Sequence, residues 1–236
     1  DIILVPIGGG GLAAGVSTLA KMLNPNIQVI GVEPANAACM KASLKAGKVV
    51  SLPSAVTIAD GTAVKTPGDI VFPYIQKNLD DIITVEDEEL IVNFLDVVEN
   101  HKMVVENSGL LTVAALKHLN CKDKRVVSIL SGGNMDIITM SSVVQHGLIE
   151  RGRVFTVSVQ LPDRPGELVN VANVIAQLKG NVIRLEHNQF VSINRNAAVE
   201  LKITLEAFGH EHKQQIVDAL KEKGYDPKLE NPTSLY

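Results

Sequence analysis

The chain has no tryptophan, and aromatic residues fill only 3% of its 236 positions. That scarcity argues against a surface that stacks nucleic-acid bases. Basic excess is missing as well: the net charge of −4 offers no electrostatic footprint for DNA or RNA. Two cysteines, Cys39 and Cys121, are too few for a disulfide framework and read as buried thiols of a reducing compartment. There is no signal peptide and no apolar run of membrane length, so the sequence points to a cytoplasmic protein with no membrane partner. What it does have is ordinary core: 46% hydrophobic and 20% charged residues, at a length that suits one large domain or two modest ones.

The charge divides unevenly. Residues 1–150 hold 11 Lys/Arg and 16 Asp/Glu, net −5, whereas residues 151–236 hold 11 and 10, net +1. The patterning changes at the same place. Up to residue 150, short apolar runs alternate with helical periodicity: strand Ile2–Ile7, helix Gly11–Leu23, strand Ile27–Val32 and helix Ala35–Ala46. After a loop through Gly61 come strand Ile82–Val85, helices Glu86–Asn100 and Ser108–Asn120, strand Arg125–Leu130 and a helix from about Asn134. Strands buried on both faces and joined by helices imply a mostly parallel α/β sheet. The acidic start of the Glu86 helix is what a helix dipole favours.

From residue 153 the rhythm is different. Phe155, Val157, Val159 and Leu161 alternate with polar neighbours, as in a half-buried strand. Leu168, Val171, Ala172, Ile175 and Leu178 then repeat at helical spacing until Gly180 stops the run. With that helix, strands Asn181–His187 and Val199–Leu205, a helix over about His210–Lys223 and a short strand near Tyr225–Leu229 complete a β-α-β-β-α-β order. That order predicts an α+β ferredoxin-like unit. The expected domains are therefore 1–150 and 151–236, joined by a short link over Gln145–Gly152.

The strongest local motif is Gly8-Gly9-Gly10-Gly11, placed between an apolar strand and the helix that Leu12 begins. Bare N–H groups at a helix start attract an anion, most often a phosphate. A nucleotide P-loop would need Gly-Lys-Ser/Thr here, and it is absent. Gly9-x-Gly11-x-x-Ala14 with Glu33 fits a dinucleotide fingerprint, which leaves an oxidoreductase reading open. A glycine turn that only packs helix on strand, or a non-catalytic scaffold or regulatory protein, is open too. The second glycine turn, Ser131-Gly132-Gly133, lies at another strand's carboxyl end, where ligands of such sheets gather.

Taken in order, Gly8–Gly11, Gly31-Val32-Glu33-Pro34, Ile58-Ala59-Asp60-Gly61, Glu106-Asn107-Ser108-Gly109 and Ser131-Gly132-Gly133-Asn134 resemble the fold-type II pyridoxal-phosphate enzymes, in particular the threonine dehydratase (threonine ammonia-lyase) group. The resemblance covers about residues 1–150. It implies a lyase that converts L-threonine to 2-oxobutanoate and ammonia with pyridoxal 5'-phosphate. Gly8, Gly9, Gly10, Gly11 and Leu12 would cradle the cofactor phosphate, Gly61 would lie beside its ring, and Ser131 would face the pyridine nitrogen. Glu106 matches a carboxylate near ring and substrate, with a plain helix-start acid as its alternative. Glu33 and the Ala37 carbonyl match two ligands of the group's cation site. Cys39, however, stands where an aspartate is found, and a thiol disfavours hard cations, so no metal is expected.

The Schiff-base lysine of this group belongs to a Ser-Phe-Lys-like motif ahead of the glycine run, and no such motif occurs in residues 1–236. Lys65 reads as an exposed loop lysine. The expectation is a C-terminal part of the enzyme, inactive alone. Leu161-Pro162-Asp163-Arg164-Pro165-Gly166-Glu167-Leu168 resembles the ACT domain, an amino-acid-sensing module. This implies an effector, isoleucine or valine, at Gly166, Glu167, Leu168 and, more loosely, His187, within a homodimer or homotetramer. His101, His118, His146, His210 and His212 are expected to be surface or helix-end residues, the last two solvated.

Overall fold

A computed structural model describes residues 1–188 and 199–230. The chain separates into two compact units, Asp1–Val144 and Gln145–Tyr236.

The first unit is built on a four-stranded sheet of order β3-β2-β1-β4, in which every pairing is parallel. Its strands are β1 (Ile2–Pro6), β2 (Gln28–Pro34), β3 (Asp81–Val85) and β4 (Val126–Ser128). Leu4, Val5, Val29 and Val32 are wholly buried, as strands covered on both faces require. Helices α1 (Gly11–Leu23) and α3 (Phe72–Asn78) pack Ala13, Ala14, Ala20, Phe72 and Ile75 into the same core as Val5, Ile7 and Met40.

Several elements differ from the sequence expectation. The stretch expected as one helix from Ala35 is a 3-10 turn, Ala35–Ala37, followed by α2 (Cys39–Ala46). Pro34 and the caps explain the break, since the residues that open α2 are bound by a side chain from outside the helix. The short helix α3 was not foreseen; its apolar residues are too few to show a period. Helix α4 (Asp87–Asp96) ends in a π turn over Val97–His101, and α5 (Asn107–Ala114) ends in a 3-10 turn. Strand β4 has three residues rather than six. Ser131 therefore stands beyond the strand, although the Ile129 N–H still donates to the Leu4 carbonyl at 3.1 Å. Helix α6 is Ile137–Glu150, so most of the expected link is helical.

The second unit holds β5 (Val154–Leu161), α7 (Glu167–Gln177), β6 (Asn181–Asn188), β7 (Val199–Glu206), α8 (His210–Glu222) and β8 (Lys228–Glu230). The sheet is antiparallel with order β6-β7-β5-β8, the strand order of a βαββαβ unit with two crossing helices. Phe155, Val157, Val159, Leu201, Ile203 and Leu205 form its core with Val171, Ile175, Ile216 and Leu220. His210 and His212 are not simply solvated. His210 Nε2 bonds the Glu150 carbonyl at 2.9 Å, and His212 joins the Phe208 N–H at 3.0 Å to the Leu178 carbonyl at 2.7 Å. Each ring thus closes a helix end. Among the described residues no helix is long and apolar enough to cross a membrane.

Candidate functional site

The glycine turn leaves β1 and enters α1 through Gly10, whose φ of 99° is left-handed and whose added Cβ would lie 2.6 Å from Met40 Cε. Only glycine satisfies both conditions. No cap side chain occupies the first turn of α1. Nothing lies within 4 Å of a Cβ built on Gly9 or Gly11, so the turn is open to a ligand on that side. Leu12, next in the turn, is exposed. Behind it, the Gly9 carbonyl accepts from the Gly68 N–H at 2.9 Å.

From Gly8 a line of close contacts runs through the other motifs. A Cβ on Gly8 would fall 3.1 Å from the Gly61 carbonyl oxygen and 3.1 Å from Thr62 Cα. One on Gly61 would fall 2.8 Å from Ser108 Oγ and 3.2 Å from Glu106 Oε1. Glu106 in turn accepts from the Asn134 N–H at 3.3 Å, and its own N–H donates to the Gly132 carbonyl at 3.4 Å. Gly109 touches the backbone of Ser131, with a built Cβ 2.3 Å from the Ser131 carbonyl oxygen. Gly8, Gly61, Glu106 and the segment after β4, far apart in sequence, are thus neighbours. Beside them lies an open cleft of about 460 Å³ lined by Ile58, Asp60, Glu106, Asn107, Asn134 and the first turns of α6.

Two buried polar atoms at this place have no hydrogen-bond partner, Asn107 Oδ1 and Ser108 Oγ. Orphaned acceptors and hydroxyls in an interior are costly. Here they stand at the start of α5, next to Glu106, at the seam between the Gly61 loop and the cleft. Both belong to the Glu106–Gly109 motif quoted above, where neither carried a role of its own.

Glu33 has another task. It is fully buried, and its two carboxylate oxygens accept the N–H groups of Met40 and Lys41, each at 2.8 Å. It caps α2, whose Met40 supports Gly10. Burial pushes its carboxyl pKa up to about 7 despite these two bonds. Cys39 is also buried, with its Sγ 4.0 Å from the Gly8 carbonyl; burial and the nearby Glu33 raise its thiol to about 11. Among the described residues no cluster of three or more His, Cys, Asp or Glu could hold a metal.

A family model described as pyridoxal-phosphate dependent enzyme matches residues 1–132. The chain belongs to this pyridoxal-phosphate dependent enzyme family. It is 40% identical over 225 residues to an L-threonine ammonia-lyase of Geobacter sulfurreducens, a match that covers 94% of this chain and 56% of the relative. It is 35% identical over 230 residues to an L-threonine ammonia-lyase of Thermotoga maritima, covering 97% and 57%. Among solved structures, a processed threonine deaminase isoform of Solanum lycopersicum superposes with a TM-score of 0.58 at 34% identity, over 61% of this chain and 43% of that one. A serine racemase of Dictyostelium discoideum gives 0.54 at 39% identity, over 58% and 45%. The chain spans a little over half the length of the curated relatives named here.

The residues fit the family's cofactor. An open glycine turn at a helix N-terminus suits a phosphate, and the unpartnered Ser108 Oγ stands beside Gly61, which in turn meets Gly8. In the second unit, Gly166, with φ 96°, precedes α7. Gly166, Glu167, Leu168 and His187 line one cavity of about 330 Å³ with Arg164 and Val199, and Glu167 accepts from the Tyr225 hydroxyl at 3.3 Å.

Proposed function

We propose that this chain is the part of a threonine ammonia-lyase that carries the phosphate cradle and one wall of the cofactor site. Gly8 to Gly11 and the Leu12 N–H would hold the phosphate, Gly61 would flank the ring and Ser131 would bond its nitrogen. When bound, pyridoxal phosphate supplies an electron sink that labilises the substrate's α-hydrogen. A neutral hydroxyl at the nitrogen moderates that sink, which suits loss of a β-hydroxyl from L-threonine, with water and then ammonia released. Glu106, which lines the cleft, would stand beside the ring and the amino-acid substrate. The observation that carries this reading is the run of contacts from Gly8 through Gly61 to Glu106 and on to Gly132.

No lysine lines that cleft, so the chain by itself is expected to bind cofactor without deaminating threonine. Titration of pyridoxal phosphate followed by fluorescence tests the first half, and a 2-oxobutanoate assay the second. Saturable binding with no product is the expected result; no binding sinks the reading. An oxidoreductase role is disfavoured because Glu33, the candidate ribose ligand, already has both oxygens engaged by backbone.

The second unit would act as an ACT-type module. The αL turn at Gly166 opens α7 with no side-chain cap, a helix start suited to an amino-acid carboxylate. The cavity beside it would take isoleucine or valine, in a homodimer or homotetramer of a cytoplasmic enzyme. The match to the Geobacter relative covers 94% of the chain, which includes this unit. Calorimetry with either amino acid tests the site, and sedimentation tests the assembly. No heat from either ligand would leave assembly as the only role.

A further inference from the structure

The loop that carries Gly61 is held by the first residues of two helices, α4 and α5. Its residue Ile58 is gripped at both backbone groups: the N–H donates to Asp87 Oδ2 at 3.0 Å, and the carbonyl accepts from Asn107 Nδ2 at 3.0 Å. The Thr57 hydroxyl donates to the other Asp87 oxygen at 2.5 Å and accepts the Ala59 N–H at 3.1 Å. These bonds lead to Asp87 and to Asn107, and the Ala59 carbonyl closes a turn by accepting the Thr62 N–H at 2.9 Å. Two residues further on, Gly61 meets Gly8.

Asp87 opens α4, where a carboxylate is expected simply for the dipole. Glu88 and Glu89 supply the same charge in the same turn. Asp87 reaches the loop, whereas Glu89 turns to the Glu86 N–H, His118 and Lys117. Charge-assisted bonds of this kind are the stronger class and fix direction as well as distance.

We propose that Asp87, together with Asn107, is a positioning residue for the cofactor site: it sets where Gly61 stands against the Gly8 turn. The inference rests on the cofactor reading above. Neither residue needs to touch the cofactor. A loop released at Thr57 and Ile58 would let Gly61 shift, and the wall beside the ring would lose its fixed place.

The test is a titration of pyridoxal phosphate into the 236-residue chain and four variants, with the apparent Kd and the emission maximum of bound cofactor read together. Asp87→Ala is expected to weaken binding about tenfold, the loss of roughly one charged hydrogen bond, and to shift the emission. Thr57→Val and Asp87→Asn should move both readouts less, in the same direction. Glu88→Ala, an exposed acid of the same turn, should match the wild type. If Asp87→Ala fails to fold, Thr57→Val and Asp87→Asn decide the matter alone. Weaker binding with an unshifted emission would signify general loss of fold and overturn the positioning role. Wild-type binding with unchanged variants overturns this inference alone, whereas absence of wild-type binding removes the cofactor reading along with it.

Discussion

Gly132 lies directly beneath Glu106: a Cβ on Gly132 would fall 2.2 Å from the Glu106 carboxyl carbon, and the Gly132 backbone has φ +83°. Two independent demands meet at one position, a left-handed backbone and the space for a carboxylate. Gly132→Ala is expected to displace the Glu106 side chain and strain the turn. Left-handed strain in a non-glycine residue costs about 1–3 kcal/mol, and the midpoint of urea unfolding should fall accordingly. An unchanged midpoint would mean that the turn relaxes freely.

The glycine turn predicts the opposite pattern at its open positions. Nothing lies near a Cβ on Gly9 or Gly11. Gly11→Ala also replaces glycine with a better helix former at the start of α1, a change worth a few tenths to about 1 kcal/mol in stability. Folding should therefore be unharmed while pyridoxal phosphate binding falls by at least about tenfold, because a methyl group stands where the phosphate would lie. Calorimetric unfolding and a cofactor titration on the same sample separate the two effects. Intact binding in Gly9→Ala and Gly11→Ala would rule out this cradle.

Glu33 gives a pH signature. Its carboxyl pKa is raised from the usual 4.5 to about 7 by burial. In that window the folded chain holds a proton that the unfolded chain has released. The contribution to stability is therefore complete below about 4.5 and is lost as pH rises through 7, a change of order 3 kcal/mol. Denaturant unfolding between pH 5 and 8 should show the decline, set against the other titrating groups. Glu33→Gln should flatten it, at some loss of the α2 cap. A slope that persists in the glutamine variant would assign it elsewhere.

The two thiols should differ in reactivity. Cys39 is buried with its pKa pushed up to about 11, whereas Cys121 is only partly buried. Burial withholds Cys39 from the reagent and from its thiolate form, which leaves Cys121 as the more accessible thiol. Brief iodoacetamide treatment at pH 8 followed by peptide mass spectrometry should find Cys121 labelled first, and Cys39 labelled only after denaturation. Equal labelling in the native chain would contradict the packing of Cys39 against the Gly8 turn.

The sheet of the first unit was legible because β1 and most of β2 are short apolar runs with glycine or proline stops. The four glycines pointed to an open turn between strand and helix, and the structure leaves nothing within 4 Å of a Cβ built on Gly9 or Gly11. Strand β4 was overestimated, since apolar composition continues to Leu130 whereas pairing stops at Ser128. Helix α3 and the π turn after α4 carry too few residues to show a period. Most of what links the site was hidden in side-chain bonds. Thr57 and Asp87 are 30 residues apart, and nothing local distinguishes Asp87 from Glu88. Asn107 and Ser108 lay inside a recognised motif, but their unpaired atoms become visible only once Gly61 is seen against them. Glu33 was a candidate ligand on spacing and proved to be a helix cap, a role that depends on where α2 begins.

The contact between Gly8 and Gly61 makes two distant loops a single hinge-free surface. With no side chain on either residue, backbone rests on backbone, and no rotamer is available to absorb a displacement. A shift of one loop presses directly on the backbone of the other. Variants in the two loops should therefore be non-additive, and the site would have to be redesigned as one piece rather than loop by loop.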